Sequence, residues 1–198
     1  LERELELRLR ADRDKGHSSE SWRLGYGQTL GQGLFVEGYL IADRMPGDRY
    51  LTVTGQELEA RWQLTEPGEL TADWGVVAEL EHGVGSRDWE AAATLVVSRS
   101  WSRWSGTVNA TLGYETGNGR DGELERRFAI QGKYRYRESL EPALEIYVGE
   151  ETRAIGPVFM GTGRLGPGRK LHWELGVIFG VDDHTPRRTL RGLLEYEF

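Results

Sequence analysis

The chain has 198 residues, 38% hydrophobic and 29% charged, with a formal net charge of −7 and no cysteine. No run approaches the ~18–20 apolar residues of a spanning helix, which excludes a membrane helix but not a membrane barrel, whose strands turn every second residue to the lumen. The acidic balance, without clustered Lys and Arg, argues against a nucleic-acid partner, and the missing cysteine excludes disulfides and thiolate metal sites.

Alternation with period two marks β-strands, and it recurs from one end of the chain to the other. The first segment, Leu1 to Asp12, sets Leu5, Leu7, Leu9 and Ala11 against Glu4, Glu6, Arg8, Arg10 and Asp12. The second, about Trp22 to Leu30, turns Trp22, Leu24 and Tyr26 outward. The third, Leu34 to Ala42, puts Leu34, Val36, Leu40 and Ala42 on one side, with Glu37 and Asp43 beside Phe35 and Tyr39 on the other. The fourth sets Leu58, Ala60, Trp62 and Leu64 against Glu57, Glu59, Arg61 and Gln63, while its first half, around Thr52 to Gln56, has no clear parity. The fifth sets Leu70, Ala72, Trp74, Val76, Ala78 and Leu80 against Thr71, Asp73, Glu79 and Glu81. The sixth sets Trp89, Ala91, Ala93, Leu95 and Val97 against Glu90, Thr94 and Ser98.

The second half of the chain continues in the same way. The seventh segment sets Trp104, Gly106, Val108, Ala110, Leu112 and Tyr114 against Thr107, Asn109, Thr111 and Glu115. The eighth sets Phe128, Ile130, Tyr134 and Tyr136 against Arg127, Gln131, Lys133, Arg135 and Arg137. The ninth sets Leu144, Ile146 and Val148 against Glu145 and Tyr147; the tenth, Pro157 to Leu165, is Gly-rich with ambiguous parity. The eleventh sets Leu171, Trp173, Leu175, Val177 and Phe179 against His172 and Glu174. In the twelfth, Leu190, Leu194, Tyr196 and Phe198 share one parity, and Arg191, Glu195 and Glu197 the other.

A strand with charge on one face and hydrocarbon on the other, closing on Phe198, resembles the last strand of bacterial outer-membrane β-barrels. The resemblance implies a Gram-negative outer membrane, lipid and lipopolysaccharide around the wall, and recognition of the carboxyl-terminal strand by the barrel-assembly machinery. Twelve segments of ~9–11 residues match the length a tilted membrane strand needs. The reading is therefore all-β: a single domain, residues 1–198, forming a transmembrane antiparallel up-and-down meander barrel. Connections alternate between long (13–20, 43–49, 82–88, 116–123, 150–156, 181–187) and short (31–33, 66–69, 102–103, 138–141, 166–169), as short periplasmic turns and longer extracellular loops do. No leader segment is visible, so Leu1 reads as a mature or trimmed start.

Aromatics fall near both ends of the segments. Trp62, Trp74, Trp101, Trp104, Tyr136, Trp173 and Phe198 lie toward the short turns; Trp22, Trp89, Tyr114, Phe128 and Phe179 lie toward the long loops. Two interfacial belts explain both sets.

The inward charges form the candidate functional face: Glu4, Glu6, Arg8, Arg10, Glu59, Arg61, Glu79, Glu115, Arg127, Lys133, Arg135, Glu145, Glu174, Arg191 and Glu195. Lys occurs only at 15, 133 and 170, so the cations are nearly all guanidiniums suited to fixed ion pairs. Such a face either closes the lumen with ion pairs or lines a narrow pore for small solutes; an accessory barrel anchoring protein partners is the alternative. Twelve strands fall between filled eight-stranded and open sixteen-stranded barrels. A lipid-modifying rim enzyme is disfavoured, because His172, the one histidine beside a carboxylate on a strand, points inward and lies near the short-turn end. Asp182-Asp183-His184 offers cation ligands on a loop but reads as solvated, and the glycines around 117–122 lack the helix and Lys of a phosphate cradle. No cofactor and no metal site are expected.

Overall fold

The computed structural model describes residues 2–31, 33–117 and 120–198, with the side chains of 120 and 121 left out. Leu1, the centre of the 31–33 turn and the Asn118-Gly119 part of the glycine-rich 117–122 stretch lie outside the described residues, and so does the side chain of Asp121.

Twelve strands form one closed antiparallel meander. They are β1 (Arg3–Asp14), β2 (His17–Gly31), β3 (Leu34–Arg44), β4 (Thr52–Gln63), β5 (Asp73–Gly83) and β6 (Trp89–Trp101), then β7 (Trp104–Gly117), β8 (Arg120–Tyr134), β9 (Glu141–Gly149), β10 (Arg153–Gly166), β11 (Arg169–Gly180) and β12 (Arg188–Glu197). Each pairs with its chain neighbours, and β1 closes on β12 from Glu4↔Glu197 to Arg13↔Arg188. Closure removes both sheet edges, which is what allows strands to cross hydrocarbon without orphaned backbone groups.

The two faces divide as the period-two pattern requires. On β1, Leu5 is 45% exposed on the outside, while its neighbour Glu6 is 2% exposed on the inside. The outer wall carries Leu24, Leu40, Leu58, Leu80, Leu95, Val108, Ile130, Leu144 and Leu175. An exposed belt of this size would drive a protein in water to associate; in a bilayer it is the lipid-facing surface.

β10 is ambiguous in sequence because both of its faces are apolar. Ala154, Gly156, Val158 and Met160 point inward, and Ile155, Pro157 and Phe159 outward. With Ile178, and with Ala143 and Tyr147 beside them, the inward set makes a small hydrocarbon cluster on the β9–β11 side of the lumen, where Val158 is 0% exposed. The interior is therefore charged on one side and packed with hydrocarbon on the other. The poor parity of early β4 also has a local cause. The β3–β4 register shifts there, from Ile41↔Gly55 to Ala42↔Val53, so Thr54 is an extra residue on β4.

Five connections differ from the sequence reading; two of them are 150–156, which shortens to 150–152 because β10 begins at Arg153, and 138–141, which lengthens to 135–140 because β8 ends at Tyr134. Residues 13–20 are not a long loop: β1 and β2 pair as far as Asp14↔His17, around a two-residue turn in which Lys15 and Gly16 have φ of +45° and +89°. This is the mirror-image turn that suits the twist of a hairpin. β7 and β8 likewise pair out to Gly117↔Arg120. At the end bearing the termini, the longest connection is 64–72, so Leu64, Leu70 and Ala72 are not strand residues.

Among the aromatics, Trp101 and Trp104 face each other at the β6–β7 turn, and Trp104 lies 5.0 Å from the Tyr134 ring. Tyr196 stacks on Phe198 at 5.5 Å. Trp62, Trp74, Tyr136 and Trp89 are exposed; Trp22 and Trp173 are half-buried.

The face assignment is testable on adjacent residues. Val108→Arg, on the outer wall, should destabilise the barrel in lipid by roughly 2–4 kcal/mol, whereas Thr107→Arg, facing the lumen, should cost much less. Denaturant titration in vesicles measures both, and equal losses contradict the assignment.

Candidate functional site

The lumen site follows from rung pairing. Along one rung, Glu57, Glu81, Glu90, Glu115 and Glu123 are successive cross-strand partners from β4 to β8. On a second rung, Glu37, Glu59 and Glu79 are partners across β3, β4 and β5. Like charges directly opposite one another repel, so counter-charge must reach them from elsewhere.

It arrives on long guanidinium arms. Arg23 of β2 reaches over β3 to Glu57 at 2.5 Å and Glu81 at 3.3 Å. Arg127 holds Glu90 at 2.8 Å. Arg61 is the hub of the second rung: it contacts Glu37 at 2.6 Å, Glu4 at 3.3 Å and Glu59. The Tyr39 hydroxyl donates to Glu6 at 2.9 Å and accepts from Arg61 at 3.1 Å. Arg8 pairs with Glu6 and stands over the Tyr39 ring, 5.0 Å from its centroid.

The space for this network comes from glycine. A Cβ on Gly25 would strike Glu37 and Tyr39, and one on Gly27 would strike Phe35. β2 therefore leaves its inner face bare where side chains of β3 fold across it.

A separate cluster lies next to the hydrocarbon side. Arg191 of β12 bridges Glu145 and Glu174, each at 2.7 Å. Gln131 and Tyr147 donate to Glu145 at 2.8 and 2.5 Å. His172 links Glu174 and Thr162, both at 3.2 Å.

Between these groups lies a cavity of about 640 Å³, bounded by Arg8, Arg23, Glu57, Glu59, Arg61, Glu79, Glu81, Glu90, Thr94, Thr111, Glu125 and Arg127 among others. A second cavity of about 570 Å³ shares Arg8, Arg10 and Arg23 with it and extends to Asp12, Glu20 and Asp43. Together they form a vestibule in the half of the lumen away from the termini, floored by Arg8, Glu59 and Arg61. The larger cavity is lined by six carboxylates (Glu57, Glu59, Glu79, Glu81, Glu90, Glu125) and five guanidiniums (Arg8, Arg10, Arg23, Arg61, Arg127).

The remaining predicted residues are placed as follows. Arg10 pairs with Asp12 at 2.9 Å, and Lys133 with Glu141 at 2.7 Å. Glu195 of β12 stands between Glu6 of β1 and His172 of β11. Glu115 lies at the rim with Asp88 and Glu90. Arg135 departs from the expected position. β8 ends at Tyr134, the chain turns at the Arg137–Leu140 bridge, and the Arg135 guanidinium donates to the Ser102 carbonyl of the β6–β7 turn. It is a rim contact and not part of the lumen network.

The sequence reading puts Glu37, Glu57 and Glu81 on the inner face but not in the network, and it passes over Arg23 altogether. The available signal is the Gly25/Gly27 pair on the inward parity of β2, opposite Glu37 and the two aromatics of β3. On the 181–187 loop, Asp182 turns back to accept from the backbone N–H of Thr185 at 2.9 Å and of His184 at 3.2 Å. Hydrogen bonds, chiefly from Thr185, hold its carboxyl below the usual range. That loop is closed by its own hydrogen bonds, and Asp182 does not converge with Asp183 and His184 on a cation position.

No family model and no curated protein matches the sequence. Solved structures share its fold. A KdgM porin in complex with disordered oligogalacturonate is 10% identical with a TM-score of 0.63, covering 100% of this chain and 98% of that one. A NanC porin is 9% identical with a TM-score of 0.61, covering 97% and 98%. The COG4313 outer membrane channel from Pseudomonas putida F1 is 13% identical with a TM-score of 0.60, covering 99% and 93%. The chain is thus similar in fold to outer-membrane porins and channels.

The energetics of the hub can be set against a surface pair. Arg61→Ala strands the buried Glu37 and Glu59 and should cost about 3–5 kcal/mol. Arg164→Ala breaks the exposed pair with Glu138 and should cost under about 1 kcal/mol. Comparable losses in denaturant titrations would contradict the hub.

Proposed function

We propose that this barrel is a narrow passive pore for small polar solutes in the outer membrane of a Gram-negative bacterium. The observation that carries the reading is the charged vestibule inside a closed wall. Its volume falls in the range of small-molecule sites, and guanidiniums and carboxylates line it side by side. The ion-pair layer around Arg61 and Arg191 sets the bore below it. The fold likeness to proteins described as porins and channels supports the same reading. The oligogalacturonate of the KdgM complex is not carried over: it is a polyanion, and here the five guanidiniums of the cavity stand among six carboxylates.

In this reading the exposed Trp, Tyr and Phe residues near both strand ends anchor the wall at the two interfaces, against lipid and lipopolysaccharide. β12, which closes on β1, is the strand offered to the barrel-assembly machinery.

A second reading, an accessory barrel closed to solutes, draws on the hydrocarbon cluster of β9–β11 and on the density of ion pairs around Arg61. We assign no catalytic role. Thr162, His172 and Glu174 make a hydrogen-bonded chain, but Glu174 is also held by Arg191, and none of the three lines the vestibule. The chain reads as lumen structure.

Single-channel recording in planar bilayers separates the two readings. The pore should give discrete unitary steps. Because the chain has no cysteine, Thr111→Cys supplies a single vestibule thiol, and a charged thiol reagent should reduce the step size. Bilayers that stay silent with verified inserted barrel would establish the closed barrel instead.

A further inference from the structure

The two acid rungs approach each other on the vestibule floor. Glu57 and Glu59 of β4 and Glu79 of β5 bring carboxylate oxygens within 4.8 Å of one another, and all three line the larger cavity. Arginines use only part of this trio. Arg23 takes Oε2 of Glu57, and Arg61 takes Oε1 of Glu59. Glu57 is only 6% exposed, yet its Oε1 is buried without a hydrogen-bond donor. Oε2 of Glu59 lies 4.0 Å from Nη1 of Arg8, beyond hydrogen-bonding reach. Glu79 makes no hydrogen bond or ion pair among the described residues and faces Glu59 directly across the rung.

A buried carboxylate oxygen without a donor is costly, and so is an acid set opposite another acid. One cation on the open side of the trio would answer both. We propose that Glu57, Glu59 and Glu79 bind a divalent cation on the vestibule floor. The donors are all carboxylate oxygens, with no imidazole or thiolate, which selects a hard ion. Calcium fits better than magnesium, because strand-borne ligands fixed by the barrel wall do not set out a regular octahedron.

The guanidiniums that line the cavity leave part of the trio open: Arg23 and Arg61 take one oxygen each of Glu57 and Glu59, and Arg127 is held by Glu90. The other acidic trio, Glu4, Glu6 and Glu37, also has a buried oxygen without a donor, Oε1 of Glu37, but Tyr39, Arg8 and Arg61 reach all three acids and none of them lines the vestibule. The proposal requires the lumen-facing floor but not conduction.

The test uses the whole barrel, folded in detergent and stripped of metal with a chelator. Calorimetric titration with Ca²⁺ at fixed ionic strength should show one saturable event, and Ca²⁺ should raise the unfolding midpoint. Glu79→Gln should weaken binding by about tenfold or more. Glu125→Gln, which removes the same charge from the same cavity, should leave it unchanged. A second measurement guards against misfolding. In chelator, Glu79→Gln should unfold no earlier than the parent, because it removes a repelling charge; in Ca²⁺ the parent should be the more stable. Unchanged binding by Glu79→Gln overturns the site. Equal losses in the two variants also overturn it, by assigning the attraction to diffuse charge. Silence in bilayers would remove the pore and leave this result standing; loss of Ca²⁺ binding would do the reverse.

Discussion

A carboxylate taken out of water must be met by positive charge or by donors, and this lumen is built around that requirement. Taking either member of a buried ion pair out of water costs several kcal/mol. Glu6 and Glu37, at 2% and 1% exposed, are tolerable only because Arg8, Arg61 and Tyr39 converge on them. Arg61 in turn reaches acids from β1, β3 and β4. The hub therefore ties the consecutive strands β1 to β4, and it forms only when their rungs are in register. Strand register and charge pairing are one event seen from two sides. The outer wall follows from the same constraint: with the ionic residues committed inward, the alternate positions are left for Leu, Val and Trp, and lipid is the solvent that suits them.

The lumen is not uniform around its circumference. From β9 to β11 the inward positions carry Ala143, Tyr147, Ala154, Val158, Met160 and Ile178, which pack beside the ion pairs of Glu145 and Glu174 with Arg191. From β1 to β8 they carry most of the ions. Hydrocarbon fills its share by close contact, but guanidinium–carboxylate pairs hold one another at defined distances and leave gaps between. Open volume therefore gathers on the charged side, and both cavities are lined there.

Strand number, closure and face assignment are legible from sequence because few folds other than a closed sheet in lipid suit a period-two pattern with one charged face. What fails to show depends on three-dimensional reach. Arg23 stands on β2, and its partners lie on β4 and β5; nothing within β2 announces that, apart from the glycines beside it. The parity of β10 cannot be read because hydrophobicity is a signal only when the other face is polar. The 13–20 stretch resembles a loop because its Ser, Glu and His residues are polar. They are polar as strand residues near the rim, where β1 and β2 continue pairing around Lys15 and Gly16. Arg135 keeps the inward parity of β8 and is misplaced by it, because parity does not say where a strand stops.

The arrangement of charge also bears on whether the interior is a plug or a passage. An interior evolved only to seal would set each acid opposite a base, since that pairing gives short contacts and dense packing at least cost. Here acid opposes acid along two rungs, and the cations come from the same strand or from as many as three strands away on extended side chains. Such a layout sets the carboxylates by strand register and meets them with guanidiniums that reach over neighbouring strands. It sacrifices pairing economy, and the cavities lie among these charged groups. The arc from β4 to β8 is a partial ring of acidic side chains built into the backbone register itself.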